Sequence, residues 1–194
     1  MAVIVLASGS PRRAELLTLA GVPFIAVPSA VVEDRRSDEA PAELVRRLAA
    51  AKAYEVAAAG NGRFVLGADT AVVLAGEVLG KPRDDDEARA MLARLSGRSH
   101  EVLTGYEVID AASGRTDGGV VSTRVEFATL SQAEIDAYVA TGEARGKAGA
   151  YAIQGRAAAM IRWLEGSYTN VVGLPLREVL ETLTRMGAMT PGAA

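Results

Sequence analysis

A strand that is apolar on both faces carries one carboxylate near its middle. The stretch from Phe64 to Pro82 reads FVLGADTAVVLAGEVLGKP. Its first half is a near-continuous apolar run rich in β-branched residues, which is typical of a strand buried on both faces. Because an unpaired ionised carboxylate is costly in an apolar interior, Asp69 must face a polar cleft, a cation or a hydrogen-bonding partner. The stretch therefore predicts a buried strand and a candidate functional carboxylate together.

The same stretch predicts a hairpin that turns back towards Asp69. A Gly-bounded turn, Leu74 to Glu77, precedes a short strand at Val78 and Leu79, and Lys81 follows. The hairpin would bring Lys81 beside Asp69. One interpretation is a structural ion pair near a strand end. The other is a site in which both side chains contact a ligand.

Composition narrows the kind of ligand. The 194 residues are 49% apolar and 23% charged, which is ordinary for a globular protein with one sizeable core or two small lobes. A net charge of −3 argues against a nucleic-acid partner held by bulk electrostatics, but a small anion needs only a local basic pocket. No apolar run reaches membrane-spanning length and no basic segment opens the chain. We therefore expect a cytoplasmic protein with no membrane partner.

The scarcity of soft metal ligands narrows the chemistry. The chain has no cysteine and a single histidine, His100. Disulfides, thiolate zinc sites and multi-histidine metal sites are thereby excluded, and a Ser-His-Asp hydrolase is disfavoured. Any catalytic metal would be a hard cation held by carboxylates and by substrate phosphates.

The N-terminal segment has the order of a phosphate site. An apolar run, Ala2 to Ala7, is followed by Ser8-Gly9-Ser10-Pro11-Arg12-Arg13 and then by helical spacing up to Gly21. Pro11 fits the first helical position, so two arginines lie in the first turn, where the helix dipole is already positive. An anion bound there would explain them. The alternative is two solvated surface arginines, and we favour the anion.

A long helix beginning at Pro41 and reaching about Ala59 places a lysine on its apolar face. By three-four spacing Lys52 falls in one stripe with Val45, Leu48, Ala49 and Val56. Lys52 either snorkels to water or points into a cleft. The polar loop before this helix, Glu33 to Glu39, is expected to be largely solvated surface.

The remaining elements are predicted from periodicity and capping signals. Asp84 to Glu87 is an acidic cluster that we interpret as a helix cap and not as a metal site. Small residues from Gly146 to Gly155 predict close backbone approach to another group. We further predict strands at His100–Asp110, Arg115–Thr129 and Ala157–Leu164, a capped helix after Ser131, a loop over Gly166–Leu176, a last helix from Pro175 and a frayed end after Gly187.

In combination, these segments resemble the Maf family of nucleoside triphosphate pyrophosphatases. The resemblance covers nearly the whole chain, and its specificity comes from the order and spacing of many short motifs. Those motifs are Ser8 to Arg13, Gly67-Ala68-Asp69-Thr70, Gly80-Lys81-Pro82, Ser96-Gly97 with His100 and Thr104-Gly105, Lys147 to Tyr151, Ile153-Gln154-Gly155, Gly166-Ser167-Tyr168 and Gly173 to Leu176.

The resemblance implies a fold and an activity. The fold would be one α/β domain over residues 1–194, an elongated mixed β-sheet flanked by helices, with two lobes around a central cleft as in inosine triphosphatases. The activity would be hydrolysis of nucleoside triphosphates to monophosphate and pyrophosphate. A divalent cation, Mg²⁺ or Mn²⁺, would assist, and the protein would be a homodimer. The motif around Gln154 looks like the branch that prefers dTTP and UTP.

The resemblance also implies roles for individual residues. Asp69 matches the proton acceptor or metal-proximal carboxylate, and Glu33 matches a second acid of the cleft, so both are candidate metal ligands. The matched substrate-binding positions are Ser8, the phosphate-binding cations Arg12, Arg13, Lys52 and Lys81, and, for base preference, Arg12, Thr70 and Gln154.

Two departures from the family pattern bear on selectivity. Gly146 replaces an acidic residue expected before Lys147, and Arg156-Ala157-Ala158 replaces the Leu-Gly that often follows Gly155. Two other functions remain as alternatives. One is a house-cleaning pyrophosphatase for modified or non-standard nucleotides, and the other is a non-enzymatic regulator of septum formation.

Overall fold

The apolar runs of the sequence form the strands of a mixed sheet. The structure, a computed structural model, describes residues 1–190. The strands are β1 (Ile4–Leu6), β2 (Phe24–Ala26), β3 (Phe64–Leu74), β4 (Glu77–Leu79), β5 (Ser99–Asp110), β6 (Arg115–Phe127) and β7 (Ile161–Glu165). They are ordered β2-β1-β3-β5-β6-β7, and β4 pairs with β3. β1 is parallel to β2 and β3, whereas the β3–β4 and β6–β7 pairs are antiparallel. The predicted mixed α/β class is confirmed, as is the β3–β4 hairpin.

Five of the six helices of residues 1–190 begin where the capping signals predicted. They are α1 (Pro11–Leu19), α2 (Pro41–Ala58), α3 (Asp85–Leu95), α4 (Gln132–Val139), α5 (Tyr168–Val172) and α6 (Leu176–Arg185), with 3₁₀ turns at Ala148–Ala150 and Arg156–Met160. The Asp84 side chain accepts the Glu87 N–H, so this acidic cluster caps α3 as predicted. Ser131 and Glu134 form the predicted capping box of α4. Over residues 1–190, no helix combines the length and the apolar character needed to cross a membrane.

The chain divides into two compact units. Unit 1 consists of Met1–Asp69, Thr104–Val121 and the part from Gly173 onward. Unit 2 consists of Thr70–Leu103 and Ser122–Val172. The strands β3, β5 and β6 each contribute residues to both units. A single domain with two lobes around a cleft stays a prediction.

In unit 1, α2 packs closely on the strands. Its buried face joins a cluster formed by Val5, Ala7, Ala53, Val56, Val65 and Ile109. Two glycines permit this approach. A Cβ at Gly67 would lie 2.2 Å from the Ala49 carbonyl oxygen, and one at Gly105 would lie 2.4 Å from that of Val45. Any larger residue at either position would push α2 away from the sheet.

Unit 2 contains an aromatic cluster around the single histidine. The His100 ring makes edge contacts with Phe127 and Tyr151, at centroid distances of 5.2 and 5.5 Å. Its Nε2 lies 2.9 Å from the Tyr151 hydroxyl oxygen. Burial lowers the pKa of His100 to about 4, so the ring is neutral at physiological pH.

The small residues between Gly146 and Gly155 approach the β3–β4 hairpin within unit 2. Gly149 has φ +65°, and a Cβ there would lie 2.9 Å from a methyl group of Val72. The Gly149 N–H donates to the Gly80 carbonyl at 3.0 Å. The predicted close backbone approach is therefore confirmed, and its target is the protein itself.

Three predictions about the C-terminal third were wrong. The strand predicted from Ala157 begins only at Ile161, because its first residues, alanines with low strand propensity, form a 3₁₀ turn. The loop predicted after Gly166 contains α5, whose Asn170 N–H is capped by the Ser167 hydroxyl at 3.2 Å.

The third error concerns the predicted frayed end. Ala188 and Met189 are buried, and the Ala188 carbonyl accepts the Ala2 N–H at 2.9 Å. The chain is therefore anchored beyond Gly187. The rest of that prediction, over 191–194, falls outside the described residues.

Candidate active site

Asp69, Lys52 and Glu33 form a charged cluster in unit 1. The Lys52 Nζ donates to Asp69 Oδ1 and to Glu33 Oε1, each at 2.6 Å. The Lys52 and Asp69 side chains are 8% and 12% exposed, whereas Glu33 is 42% exposed. Lys52 therefore does not snorkel to water. It points between two carboxylates, in line with the second of its two interpretations.

The packing of α2 on β3 accounts for this geometry. Lys52 lies on the buried face of α2, as its spacing predicted. On β3, Gly67 and Asp69 are two residues apart and so point to the same side of the sheet. Gly67 lies against the α2 backbone at Ala49 and Ala53. The glycine thus lets the helix approach closely enough for the lysine to reach the carboxylate.

The environment makes Asp69 a stronger base than an ordinary aspartate. Burial raises the pKa of Asp69, and the positive charges of Lys52 and Arg13 only partly oppose this rise. A buried carboxylate of raised pKa next to a cation is a typical functional group in an active site. Asp69 can accept a proton from a water molecule.

Arg13 ties the N-terminal loop to this cluster. Its Nη1 donates to the Ser8 hydroxyl at 3.0 Å, and its Nε donates to the Gly173 carbonyl at 2.8 Å. Ser8 also accepts the Ser10 N–H at 3.2 Å. Burial lowers the pKa of Arg13, and the charge of Asp69 opposes that effect. Arg13 is thus a buried cation near Asp69, and describing it as a solvated surface arginine is wrong.

Arg12 lies beside it in the first turn of α1 and is half-buried. Burial lowers its pKa, with an opposing contribution from Glu15. Two partly or fully buried arginines at the positive end of a helix favour an anionic ligand there. That Arg12 and Arg13 bind phosphate stays a prediction.

The other predicted site residues belong to unit 2. Thr70 follows Asp69 on β3 and is half-buried, while Lys81 is exposed just after β4. Gln154 is exposed between the two 3₁₀ turns. The hydrogen bond from Gly149 to Gly80 holds the segments that carry Lys81 and Gln154 together within this unit. The structure shows an ion pair between Asp69 and Lys52. That the hairpin also brings Lys81 beside Asp69 stays a prediction.

The sequence analysis missed one ion pair near the site. Glu39 was placed in a solvated loop, yet it is buried and accepts two hydrogen bonds from Arg47 of α2. No local pattern links these residues, because they come from a loop and from the second turn of a helix. A glutamate in the loop could be assigned to this arginine only once the loop was seen to fold over α2.

Two carboxylates converge in a way that suits a hard cation. Asp69 and Glu33 both lie 2.6 Å from the same Nζ atom, so their oxygens surround one cationic position. Within residues 1–190, no group of three or more acidic or histidine side chains could hold a metal ion. Mg²⁺ is commonly bound by one or two carboxylates together with substrate phosphates. The donor set therefore fits a metal whose other ligands come from the substrate.

Together, the fold and the site define the class of proteins that can hold an anionic ligand at a helix N-terminus. A parallel strand, a Ser/Gly loop and a helix N-terminus present arginines beside a buried carboxylate that is paired with lysine. This arrangement can hold a phosphorylated anion next to a proton acceptor.

Comparison with known proteins gives the family. The family model described as Maf-like protein matches residues 3–186, and the chain belongs to this family. A dTTP/UTP pyrophosphatase of Geotalea uraniireducens is 54% identical over 186 residues, which cover 96% of each chain. A dTTP/UTP pyrophosphatase of Geobacter sulfurreducens is 55% identical, covering 96% of this chain and 97% of the relative. The resemblance seen in the sequence is thereby confirmed.

One of the solved structures that match is more distant than these relatives. A HAM1 protein from Coxiella burnetii has a TM-score of 0.43 at 21% identity, covering 67% of this chain and 75% of its own. The α/β assignment rests on the strands and helices of the present structure.

Proposed function

We propose that this protein hydrolyses nucleoside triphosphates, dTTP and UTP foremost, to the nucleoside monophosphate and pyrophosphate. The names of relatives more than 50% identical over nearly the whole chain support the reaction and the substrates. The observation that carries the proposal is the buried Asp69 held at 2.6 Å by Lys52, because hydrolysis needs a proton acceptor within a cationic site.

Asp69, Lys52 and Arg13 have distinct roles in this reaction. Asp69 takes the proton of the water that attacks the α-phosphorus, and its raised pKa favours this transfer. Lys52 orients the Asp69 carboxylate and supplies positive charge beside the phosphates. Arg13 keeps the Ser8 loop in place through its bonds to Ser8 and Gly173. A preorganised site of this kind lowers the barrier without rearrangement during the reaction.

The phosphates and the base are assigned to further residues. Arg12, with its planar fork, and Lys81, as a point charge, join Arg13 and Lys52 in neutralising the triphosphate. Ser8 offers a hydroxyl to a phosphate oxygen. Thr70 and Gln154 read the base, because an amide with both donor and acceptor can distinguish a pyrimidine edge as no apolar group can.

Asp69 and Glu33 would also hold a divalent cation, Mg²⁺ or Mn²⁺, together with the phosphate oxygens. Once bound, the ion would neutralise charge that develops on those oxygens. The ammonium group of Lys52 lies between the two carboxylates and limits their repulsion.

A pyrophosphate-release screen tests the proposal. The purified protein is assayed with Mg²⁺ or Mn²⁺ against dTTP, UTP, CTP, ATP, GTP, ITP and modified pyrimidine triphosphates. We expect the highest specificity constants for dTTP and UTP. A higher value for ITP or GTP would favour the house-cleaning alternative, and no release from any triphosphate would favour a non-enzymatic protein.

We also propose that the protein works as a homodimer in the cytoplasm on free nucleotides, with neither nucleic acid nor membrane as partner. Family resemblance supports the dimer, and net charge and hydropathy support the rest. Light scattering on the purified protein tests the dimer, since a monomer mass at micromolar concentration would refute it.

A further inference from the structure

The acid Glu33 belongs to a long segment without a helix or strand. Residues 27–40 connect β2 to α2 and contain neither. Long irregular segments inside a compact domain are commonly functional, and their backbone cannot rely on ladder hydrogen bonds. Something else must hold the Glu33 carboxylate within 2.6 Å of the Lys52 ammonium.

One end of this segment is fixed by Glu55 of α2. The Glu55 carboxylate accepts hydrogen bonds from the Ser29 hydroxyl and, at 2.9 Å, from the Ala30 N–H. The Ser29 oxygen in turn accepts the Val31 N–H at 3.1 Å. These bonds hold the chain on α2 up to two residues before Glu33.

The other end is fixed by Arg47 of the same helix. Its Nη2 donates to the Asp34 carbonyl at 2.9 Å and to Glu39 Oε2 at 2.7 Å, and its Nε donates to Glu39 Oε1. The Arg36 N–H also donates to the Glu39 carboxylate, at 3.3 Å. Arg47 thus joins the residue that directly follows Glu33 to a buried carboxylate five residues further on.

We propose that Arg47 is a positioning residue, which holds the 27–40 segment so that Glu33 meets Lys52 beside Asp69. This inference rests on the proposed function, because it assigns Glu33 a part in turnover. The planar guanidinium of Arg47 binds both Glu39 oxygens through two nitrogens while it also reaches the Asp34 carbonyl, and the single nitrogen of a lysine cannot reproduce that two-point geometry.

The strength of the Arg47–Glu39 contact supports a fixed arrangement. Hydrogen bonds from Arg47 lower the pKa of Glu39 to about 2, so the pair stays ionised throughout the pH range of an assay. The Arg47 side chain is only 25% exposed. Partners that orient acidic ligands typically cost 10–100-fold in activity or metal affinity when removed, and we expect Arg47→Ala to lower turnover by roughly that factor.

The chain offers a matched control. In unit 1, Arg63 also forms a forked ion pair with a buried acid, donating to both Asp110 oxygens at 3.0 Å. The Asp110 carboxylate also accepts hydrogen bonds from the Ala112 N–H and the Ser113 hydroxyl, which fix the turn after it. Hydrogen bonds from Arg63 likewise lower the pKa of Asp110 to about 2. Arg63→Ala removes a forked ion pair of the same kind, formed by a more exposed arginine, and leaves the Glu33 segment intact. Its kcat should stay within about twofold of wild type.

The test combines kinetics with hydrogen exchange. Steady-state pyrophosphate release and amide exchange are measured on wild type, Arg47→Ala, Arg47→Lys and Arg63→Ala. We expect both Arg47 variants to lose kcat and to exchange faster at the amides of residues 31–40, with Arg47→Ala more affected than Arg47→Lys. Equal losses of kcat in Arg47→Ala and Arg63→Ala would overturn the proposal, as would unchanged exchange in that segment. Arg47→Lys keeps the test valid should the alanine variant fail to fold.

A double-mutant cycle with Glu33→Gln completes the test. If Arg47 acts through Glu33, Arg47→Ala should add less than about twofold to the loss already caused by Glu33→Gln, because coupled sites are not additive. Full additivity would mean that Arg47 acts elsewhere. A wild-type protein that releases no pyrophosphate would refute the proposed function. The exchange of residues 31–40 in Arg47→Ala would then decide the positioning role alone, faster exchange supporting it and unchanged exchange overturning it.

Discussion

Replacing Asp69 by asparagine separates a catalytic carboxylate from a structural one. Asparagine keeps the shape and an oxygen that can accept the Lys52 hydrogen bond, now 2.6 Å long. It removes the negative charge and the basicity. If Asp69 accepts the proton of the attacking water, kcat should fall by at least ~100-fold, the lower range for losing a general base.

The structure also predicts the effect on stability. Burial raises the pKa of Asp69 above its value in the unfolded chain, so the ionised carboxylate disfavours the folded state. The stability that the protonated form contributes is lost as the pH rises through the folded pKa. Neutralising the side chain removes that cost. Lys52 is not left alone, because it keeps its 2.6 Å bond to Glu33. We expect a change in unfolding free energy of less than about 1 kcal/mol.

A purely structural Asp69 predicts the reverse. Breaking a buried ion pair by removing one partner typically costs 3–5 kcal/mol, which corresponds to a loss of about 6–20 °C in melting temperature for a chain of this size. Turnover per folded molecule would then be close to wild type. Glu107→Gln is the matched control, since Glu107 is a buried acid of unit 1 whose arginine partner is 3.9 Å away. Melting temperature and kcat, measured on the same preparations, distinguish a catalytic from a structural Asp69. A destabilised Asp69→Asn with near-native kcat would refute the catalytic assignment.

Three further predictions concern packing, pH and phosphate binding. Gly67→Ala should lower the unfolding free energy by ~1–3 kcal/mol or more and reduce kcat, because the added Cβ would lie 2.2 Å from the α2 backbone. Gly80→Ala is the control, since a Cβ added there has no atom within 4 Å. Equal melting temperatures of the two variants would refute this prediction. The pKa of His100 is about 4 in the folded protein and 6.5 in the unfolded chain, so the unfolding free energy should fall by roughly 3 kcal/mol as the pH drops from 6.5 to 4. Urea titrations measure this, and the same pH dependence in His100→Gln would contradict the prediction. Arg12→Ala should weaken binding of a non-hydrolysable triphosphate by roughly 1.5–3 kcal/mol, and unchanged affinity would leave Arg12 without a part in binding.

Local signals predicted most of the fold because each is short in range. Apolar runs, prolines at helix starts and capping residues determine β1, α1, α2 and α3 within a few residues of their own sequence. The errors arose where a local signal was ambiguous. The alanines before Ile161 support either a strand or a turn, and Ser167 caps a helix too short to show periodicity.

The site was only partly predictable for a related reason. Asp69 and Lys52 stood out as charges on apolar faces, which is visible in sequence. Their pairing with each other depends on how α2 packs on β3 at Gly67. The role of Arg47 depends on a segment with no regular structure, for which sequence has no period to follow.

The position of bond cleavage tests the central claim most directly. Hydrolysis of UTP in water enriched in ¹⁸O, followed by mass spectrometry of the products, shows which phosphorus atom the water attacks. The account predicts one ¹⁸O atom in the uridine monophosphate and none in the pyrophosphate, because water activated by Asp69 attacks the α-phosphorus. Label in pyrophosphate, or release of labelled inorganic phosphate with the diphosphate as product, would contradict it.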